Sequence, residues 1–309
     1  MTNAPDISVV MGVFNGSSHL HETIESVLSQ EGVSFEFIIV DDGSNDSSPQ
    51  ILSEYASRDS RIRIIRQENQ GLTRALVKGC SVAMGSYIAR QDVGDVSLAH
   101  RLMKQLHAIQ SNADVALVSC GARFFGPGKE HLYDINHNPN EATSRLNTLE
   151  LSEVRGPSIH GCTLFSRSLF ERVGGYRPDF YFAQDLDLWV RLVEYGRHLV
   201  IPETLYQASI SLSSISGLYR KQQIESARVI LECSRLRREG TSEEPALRKA
   251  RAIRPSRKRT VSSFVRANHL YFIGMCLKKQ RDPVASKYFR EAIQTCPLHV
   301  KSAFRLIWD

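Results

Sequence analysis

The chain has no apolar run approaching the ~18–20 residues that a membrane-spanning helix needs. Its N-terminus, MTNAPDISVV, lacks a basic stretch followed by an apolar core, so no secretory leader is expected. Six cysteines (Cys80, Cys120, Cys162, Cys233, Cys276 and Cys296) include no Cys-x-x-Cys pair. That argues against a zinc site or a disulfide framework and for reduced thiols in a cytosolic protein. The first strand-to-helix turn, FNGSSHL, carries no G-x-G-x-x-G. A dehydrogenase or nucleotidyltransferase on a doubly wound sheet therefore lacks its expected phosphate loop.

What remains is an ordinary globular composition over 309 residues, 42% hydrophobic and 23% charged. The length suits one large domain, or one of about 200 residues with an appendage. Charge is distributed unevenly: residues 220–309 hold 21 Lys/Arg against 8 Asp/Glu, and residues 1–219 hold 18 against 25. The run RKARAIRPSRKR (248–259) would attract an anionic surface, lipid or nucleic acid, unless it is a solvated helix face and linker. No nucleic-acid-binding motif accompanies it, so no nucleic-acid partner is expected.

Along the first half, apolar periodicity alternates. ISVVMGVFN (7–15), FEFIIVDDGSND (35–46), RIRIIRQ (61–67) and SYIARQD (86–92) read as strands. Residues 17–30, 48–59 and 72–85 read as the helices between them, the first stopping at Gly32. Such alternation predicts an α/β fold with a mostly parallel sheet covered by helices, its ligand beyond the carboxyl ends of the strands. Asn15-Gly16, Asp41-Asp42-Gly43 and Asp92 to Asp95 all lie at those ends. In IARQDVGDVS (88–97) the two carboxylates could hold a divalent metal against a phosphorylated substrate, or could be a merely acidic loop.

The second half reads as a helix near 98–111, a strand over 115–125, a polar stretch over 126–150, a strong helix over 182–196 and a strand over 198–209. Beyond about 218 the pattern is helical and basic, with a break near 253–260. Gly274, Ala285, Phe289, Ala292 and Pro297 fall close to a single tetratricopeptide-like unit over about 267–305, which a generic helical hairpin would also satisfy. One such repeat cannot bury its own face and needs a partner, the rest of the chain or a second copy.

Taken together, ISVVMGVFNG, FIIVDDGSNDSS, ENQGLTRALVKG and GSYIARQDVGD resemble, in this order and spacing, the family 2 glycosyltransferases, over about residues 5–215. The resemblance implies the GT-A fold, a nucleotide-sugar donor and inversion at the anomeric carbon. It divides the chain into 1–217, with a nucleotide-sugar half (1–110) and an acceptor half (111–217), and a basic helical region, 218–309. Phe14 matches the family's usual tyrosine against uracil, although a core phenylalanine would look the same in sequence. Asn15 follows it in the donor pocket. Asp42 matches the carboxylate that accepts from the base N–H, with Asp41 bracing the turn, which makes a UDP-sugar the expected donor. Gly12 stands where the family usually carries Pro or Thr. Arg74, on the helix after the third strand, is placed near the diphosphate, which its planar fork suits.

The resemblance implies Mg²⁺ or Mn²⁺ as cofactor, held by Asp92 and stabilising the departing diphosphate. Here Gly94 replaces a usual carboxylate, so Asp95 is the expected second ligand, reached through the backbone freedom of Gly94; the alternative is a weak or absent metal, with a cation such as Arg74 carrying more of the load. FAQDLDLWVRL resembles the family's Glu-Asp-x-Asp-Leu-Trp segment, which makes Asp185 the general base that deprotonates the acceptor. A carboxylate at a helix N-terminus is expected to stay ionised there. Asp187, Asp179 and Trp189 read as structural. PSIHGCTLFSR (157–167) resembles the acceptor-side segment and places His160 at the diphosphate or metal.

The sequence therefore predicts a cytoplasmic transferase of polysaccharide or cell-envelope synthesis that uses a glycan or lipid-linked acceptor. It would sit peripherally on the cytoplasmic face of an anionic membrane through its basic tail, with a homo-oligomer left open. The competing reading is a non-catalytic nucleotide-sugar-binding or scaffold protein with a degraded metal motif. The Asp185 segment argues against it, because a binding module needs no base.

Overall fold

A computed structural model describes residues 4–212, 218–255 and 262–307. The last part of the basic run, 256–259, lies outside the described residues. The chain packs as two bodies, one of residues 1–122, 135–208 and 225–253, the other of 123–134, 209–224 and 254–309.

In the first body, β1 (Ile7–Val13), β2 (Phe35–Asp41), β3 (Ile62–Arg66) and β4 (Tyr87–Arg90) alternate with α1 (Leu20–Leu28), α2 (Ser48–Arg58) and α3 (Leu72–Cys80). Then come β5 (Val96–Ser97), α4 (Arg101–Gln110), β6 (Val115–Phe125), β7 (His131–Ile135) and α5 (Ala142–Asn147). A 3₁₀ turn at His160–Cys162 leads into β8 (Leu164–Ser166), α6 (Arg167–Arg172), α7 (Gln184–Leu192) and β9 (Arg197–Ser209). The strands order as β3-β2-β1-β4-β8-β6-β9-β5, with β7 beside β6. Pairing is parallel among β1 to β4 and antiparallel for β4 with β8, β8 with β6, and β9 with β5. β2 is buried throughout and β1 almost so, as a covered parallel sheet requires.

Two helices end earlier than their periodicity suggests. α1 stops at Leu28, four residues before Gly32. The Gln30 amide beyond it is drawn off to the Leu98 carbonyl (2.9 Å) and the Leu102 N–H (3.1 Å). α3 stops at Cys80 because buried Glu36 and Ser8 capture the next backbone donors. Met84 N–H donates to Glu36 (2.7 Å) and Gly85 N–H to the Ser8 hydroxyl (2.8 Å).

Residues 225–253 belong to the first body, so the packing does not follow the boundary at 217 that the sequence suggests. They comprise most of α8 (Arg220–Arg238) and all of α9 (Glu244–Ala252). A chain of charges anchors them. Arg191 and Arg177 both hold Asp187, Arg177 also holds Glu243 (2.7 Å), and Arg237 joins Glu243 (2.9 Å) to Glu194 (2.6 Å). Farther out, Arg251 pairs with Asp179 (2.6 Å) and Lys249 with Glu232 (2.8 Å).

The second body is built on α10 (Ser263–Lys279), α11 (Ala285–Thr295) and α12 (Val300–Ile307), with the end of β6 and most of β7 beside them. Gly274 matters here: a Cβ at that position would sit 2.6 Å from the Phe289 ring, so only glycine lets α10 and α11 approach this closely. Ala285 and Ala292 are buried in the same seam. The Tyr288 hydroxyl donates to Glu130 (2.7 Å), and the Gln280 amide donates to the His131 carbonyl (3.0 Å). No described helix is long and apolar enough to cross a membrane.

Candidate active site

Strand register assembles the site. Val13 pairs with Asp41, and Asp42 N–H donates to the Val13 carbonyl (2.8 Å), so Phe14 and Asp42 leave adjacent strand ends. β4 pairs with β1 only as far as Val10 opposite Arg90, so residues 91–95 cross the end of β1. On its other edge Arg90 N–H donates to the Thr163 carbonyl (2.9 Å), which brings the His160–Cys162 turn beside the acidic loop. β5 pairs Ser97 with Tyr206, and the Tyr206 hydroxyl thereby accepts from Asp92 N–H (3.2 Å).

On the donor side, Phe14 is half-exposed, so it is not a core residue and offers a free ring at the end of β1. Asn15 holds φ +53° and accepts from Asn45 N–H (2.8 Å), which closes the β1 loop onto the β2 loop. Asp41 accepts from Ser44 N–H (3.0 Å) and braces its turn as expected. Asp42 is buried and accepts from the Gln67 amide (2.7 Å), Gln70 N–H (2.9 Å) and Gly71 N–H (2.8 Å). A carboxylate offers about four acceptor positions, so one remains for a ligand. Arg74 is exposed on the first turn of α3. The same turn is tied to the segment before α7 by Thr73, whose hydroxyl donates to the Phe180 carbonyl (2.8 Å). Gly12 faces this helix, where a Cβ would lie 2.9 Å from the Leu72 side chain.

The acidic loop is held firmly. The Thr23 hydroxyl accepts from Gly94 N–H (3.0 Å) and donates to the Asp95 carbonyl (3.0 Å), which also accepts from the Gln91 amide (3.0 Å). Gly94 sits at φ +93°, a conformation an aspartate adopts only under strain. The missing carboxylate thus goes with the path of the loop. Asp95 is buried near the Tyr206 phenol, which Asp92 also faces, while the Asp92 side chain keeps 28% of its surface exposed.

The centre of the arrangement is a residue the sequence reading passed over. Arg90 is fully buried, and its guanidinium donates to Asp92 (2.6 Å), to the Gln91 carbonyl (2.9 Å), to the Val10 carbonyl and to His160 Nε2 (3.2 Å). The Tyr176 hydroxyl lies 2.6 Å from the same Nε2. An arginine N–H can only donate, so Nε2 is the acceptor and the neutral ring carries its proton on Nδ1. Burial, followed by the Arg90 charge, depresses the imidazole well below its usual range, in keeping with that neutral state. Burial alone would lower the Arg90 guanidinium, but Asp92 foremost among its neighbours keeps it charged.

Arg90 was legible in principle. An arginine inside the apolar run SYIAR, two residues before Asp92, shares a strand face with it. Tyr176 and Tyr206 carry no such local signal. Gly161 is what lets Tyr206 in, since a Cβ there would overlap the tyrosine hydroxyl. Trp189 is buried and meets the His160 ring edge-on at 5.9 Å, so it serves packing.

Asp185 lies in the first turn of α7, and its Oδ1 accepts from Leu186 N–H (2.8 Å). The helix N-terminus does not set the acidity of Asp185 by itself. Burial raises its pKa above the usual carboxylate value, Leu186 N–H offsets part of this, and the nearby Asp92 charge adds to it. Desolvation and a like charge outweigh the dipole, which acts only over the first turn. Asp187, two residues on, goes the other way. Burial would raise it, but Arg191 and Arg177 prevail and hold it below its usual value. Its carboxylate is held by Arg177 (3.0 Å) and Arg191 (2.7 Å), a structural role as expected.

Among the described residues no group of three or more His, Cys, Asp or Glu could hold a metal by itself. Asp92 still fits a metal that arrives with a diphosphate. Only its Oδ1 is engaged by Arg90, and a hard cation needs one or two protein carboxylates when phosphate oxygens and waters supply the rest.

Comparison with known proteins agrees with this geometry. Residues 8–174 match the sequence model of Glycosyl transferase family 2. Two Bacillus subtilis (strain 168) proteins bearing the glycosyltransferase name are similar. EpsE is 31% identical over 77% of this chain and 85% of its own length, and EpsH is 30% identical over 74% and 67%. Among solved structures, the Pyrobaculum calidifontis mannosyltransferase PcManGT, in complex with GDP-Man and Mn²⁺, aligns with a TM-score of 0.56 at 17% identity, covering 100% of this chain and 88% of that one. S. aureus TarS (residues 1–349) aligns with a TM-score of 0.53 at 13% identity, covering 94% and 88%. These last two establish the GT-A fold, and the whole comparison shows that the chain belongs to the family 2 glycosyltransferases.

Proposed function

We propose that the chain is an inverting glycosyltransferase that moves a sugar from a nucleoside diphosphate, a UDP-sugar on the Phe14 and Asp42 pair, to a hydroxyl of a glycan or lipid-linked acceptor. The observation that carries this reading is Asp185. It is a carboxylate of raised pKa with one oxygen engaged by its own helix, set within electrostatic reach of Asp92 on the donor side.

The acceptor hydroxyl gives its proton to Asp185 Oδ2 as its oxygen attacks the anomeric carbon. The bond to the diphosphate oxygen breaks on the opposite face, and its electron pair leaves with the nucleoside diphosphate. A raised pKa makes the ionised Asp185 carboxylate a stronger proton acceptor. Asp42 positions the base, Arg74 meets the diphosphate, and His160 offers Nδ1–H as a donor. Asp92 would hold Mg²⁺ or Mn²⁺, with Asp95 as the candidate second ligand, and the cation supplies charge stabilisation for the leaving diphosphate.

The mannosyltransferase neighbour holds GDP-Man and Mn²⁺, which supports a nucleotide-sugar donor and a metal. The six free cysteines support a reducing compartment such as the cytoplasm for this reaction. The test is Asp185→Asn, assayed against a panel of nucleotide sugars with and without Mn²⁺. Transfer and donor hydrolysis should fall by about 10³ or more, while donor protection against thermal unfolding persists. Transfer within a few-fold of the unaltered chain would remove Asp185 from the mechanism, and protection by no nucleotide sugar would remove the donor reading.

A further inference from the structure

In the second body, α10 (SFVRANHLYFIGMCLKK) is apolar on both sides. Its inner face buries Ala267, Leu270, Ile273, Gly274 and Leu277. Its outer face carries Phe264 and Phe272, which are 51% and 43% exposed. Large apolar side chains left exposed together mark an interaction surface. Next to it, Leu298 and Val300 are 84% and 75% exposed, and the Phe264 ring lies 5.6 Å from His299 between them. The same helix and β7 line a cavity of about 630 Å³ walled by Leu132, Tyr133, Phe272 and Cys276, with Lys279 among its lining residues.

Charge indicates what covers this face. Residues 254–309 contain twelve Lys/Arg and only three acidic residues, Asp282, Glu291 and Asp309. Arg266, Lys279 and Lys301 are exposed on the same body, and Lys279 lines the cavity beside Phe272. A second copy using the same face would set these like charges against each other. An anionic bilayer supplies the opposite charge and an apolar layer a few ångströms deeper, the combination that interfacial helices exploit.

We propose that the exposed apolar residues Phe264, Phe272, Leu298 and Val300, together with the basic side chains Arg266, Lys279 and Lys301 of the same body, lie on an anionic phospholipid surface. It deepens the lipid-linked acceptor reading by naming the surface on which such an acceptor is met.

The experiment sediments the full chain with vesicles of phosphatidylcholine alone or with about one third phosphatidylglycerol. Binding is expected to the anionic vesicles and to weaken as salt screens the charges. Changing Phe264, Phe272, Leu298 and Val300 together to Ser should weaken it about tenfold or more. Lys279→Glu with Lys301→Glu should do the same and needs no apolar change, so the test survives if the first variant misfolds. Transfer to a short soluble acceptor should be unchanged in both. Equal binding to neutral vesicles, full binding by the charge variant, or no binding by the unaltered chain overturns the proposal. So does a dimer, seen by light scattering, that the serine variant dissociates, since a second copy would then be the cover. Donor hydrolysis in the same preparation separates the two readings. Its loss with vesicle binding intact overturns the enzyme reading alone, and the converse overturns this one alone.

Discussion

The basic C-terminal third looks uniform in sequence, but its two halves use charge oppositely. In 225–253, seven basic residues stand with five acidic ones, and Arg237, Lys249 and Arg251 are joined to Glu194, Glu232, Asp179 and their neighbours. In 254–309 the ratio is twelve to three. The first half is part of the first body, and the second carries the exposed basic side chains Arg266, Lys279 and Lys301 of the face proposed to lie on an anionic surface. Net charge over a window cannot distinguish these uses, because it does not say where the counter-charges come from in three dimensions.

Truncation gives the largest contrast. Removing 254–309 should leave cooperative unfolding and donor hydrolysis within a few-fold of the full chain. Removing everything from 218 should abolish soluble, cooperative folding, because Arg177 loses Glu243 and Glu194 loses Arg237. If both truncations behave alike in a thermal melt, the division is wrong.

Next in size is Glu243→Ala, which leaves Arg177 and Arg237 short of a partner in partly buried positions. Chemical denaturation should show a loss of about 2–4 kcal/mol. The matched change Arg281→Ala, in the second half, should stay within about 0.5 kcal/mol.

A smaller effect is expected from pH. Burial would raise Glu243, but Arg177 and then Arg237 hold it below its ordinary value, and Asp187 is depressed likewise. The stability these two contribute is present above their unfolded pKa near 4 and is lost as pH falls through the depressed folded values. Glu243→Gln should therefore flatten the acid side of the stability-pH curve, and an unchanged slope would deny the network its role. Smallest is Lys249→Ala, whose exposed pair with Glu232 should be worth under about 1 kcal/mol.

Much of the fold was legible because the early strands and helices follow their periods closely, and because donor-side residues cluster at strand ends within short sequence spans. The site's interior was less legible. Arg90, His160 and Tyr176 meet through the antiparallel β4–β8 pairing, a contact between residues 70 apart or more. The surroundings of Asp185 were only partly legible for a related reason. A helix dipole can be read from local sequence, but burial and the Asp92 charge come from the rest of the fold.

Arg90 also constrains how such an enzyme can change. One guanidinium holds Asp92 with one nitrogen and His160 with another, so it ties the end of β4 to the turn before β8. A chain without a histidine at 160 leaves one of the four hydrogen bonds of a buried cation unmade. Sequence change at 160 is therefore coupled to Arg90: it has to supply another acceptor or leave a buried donor without one.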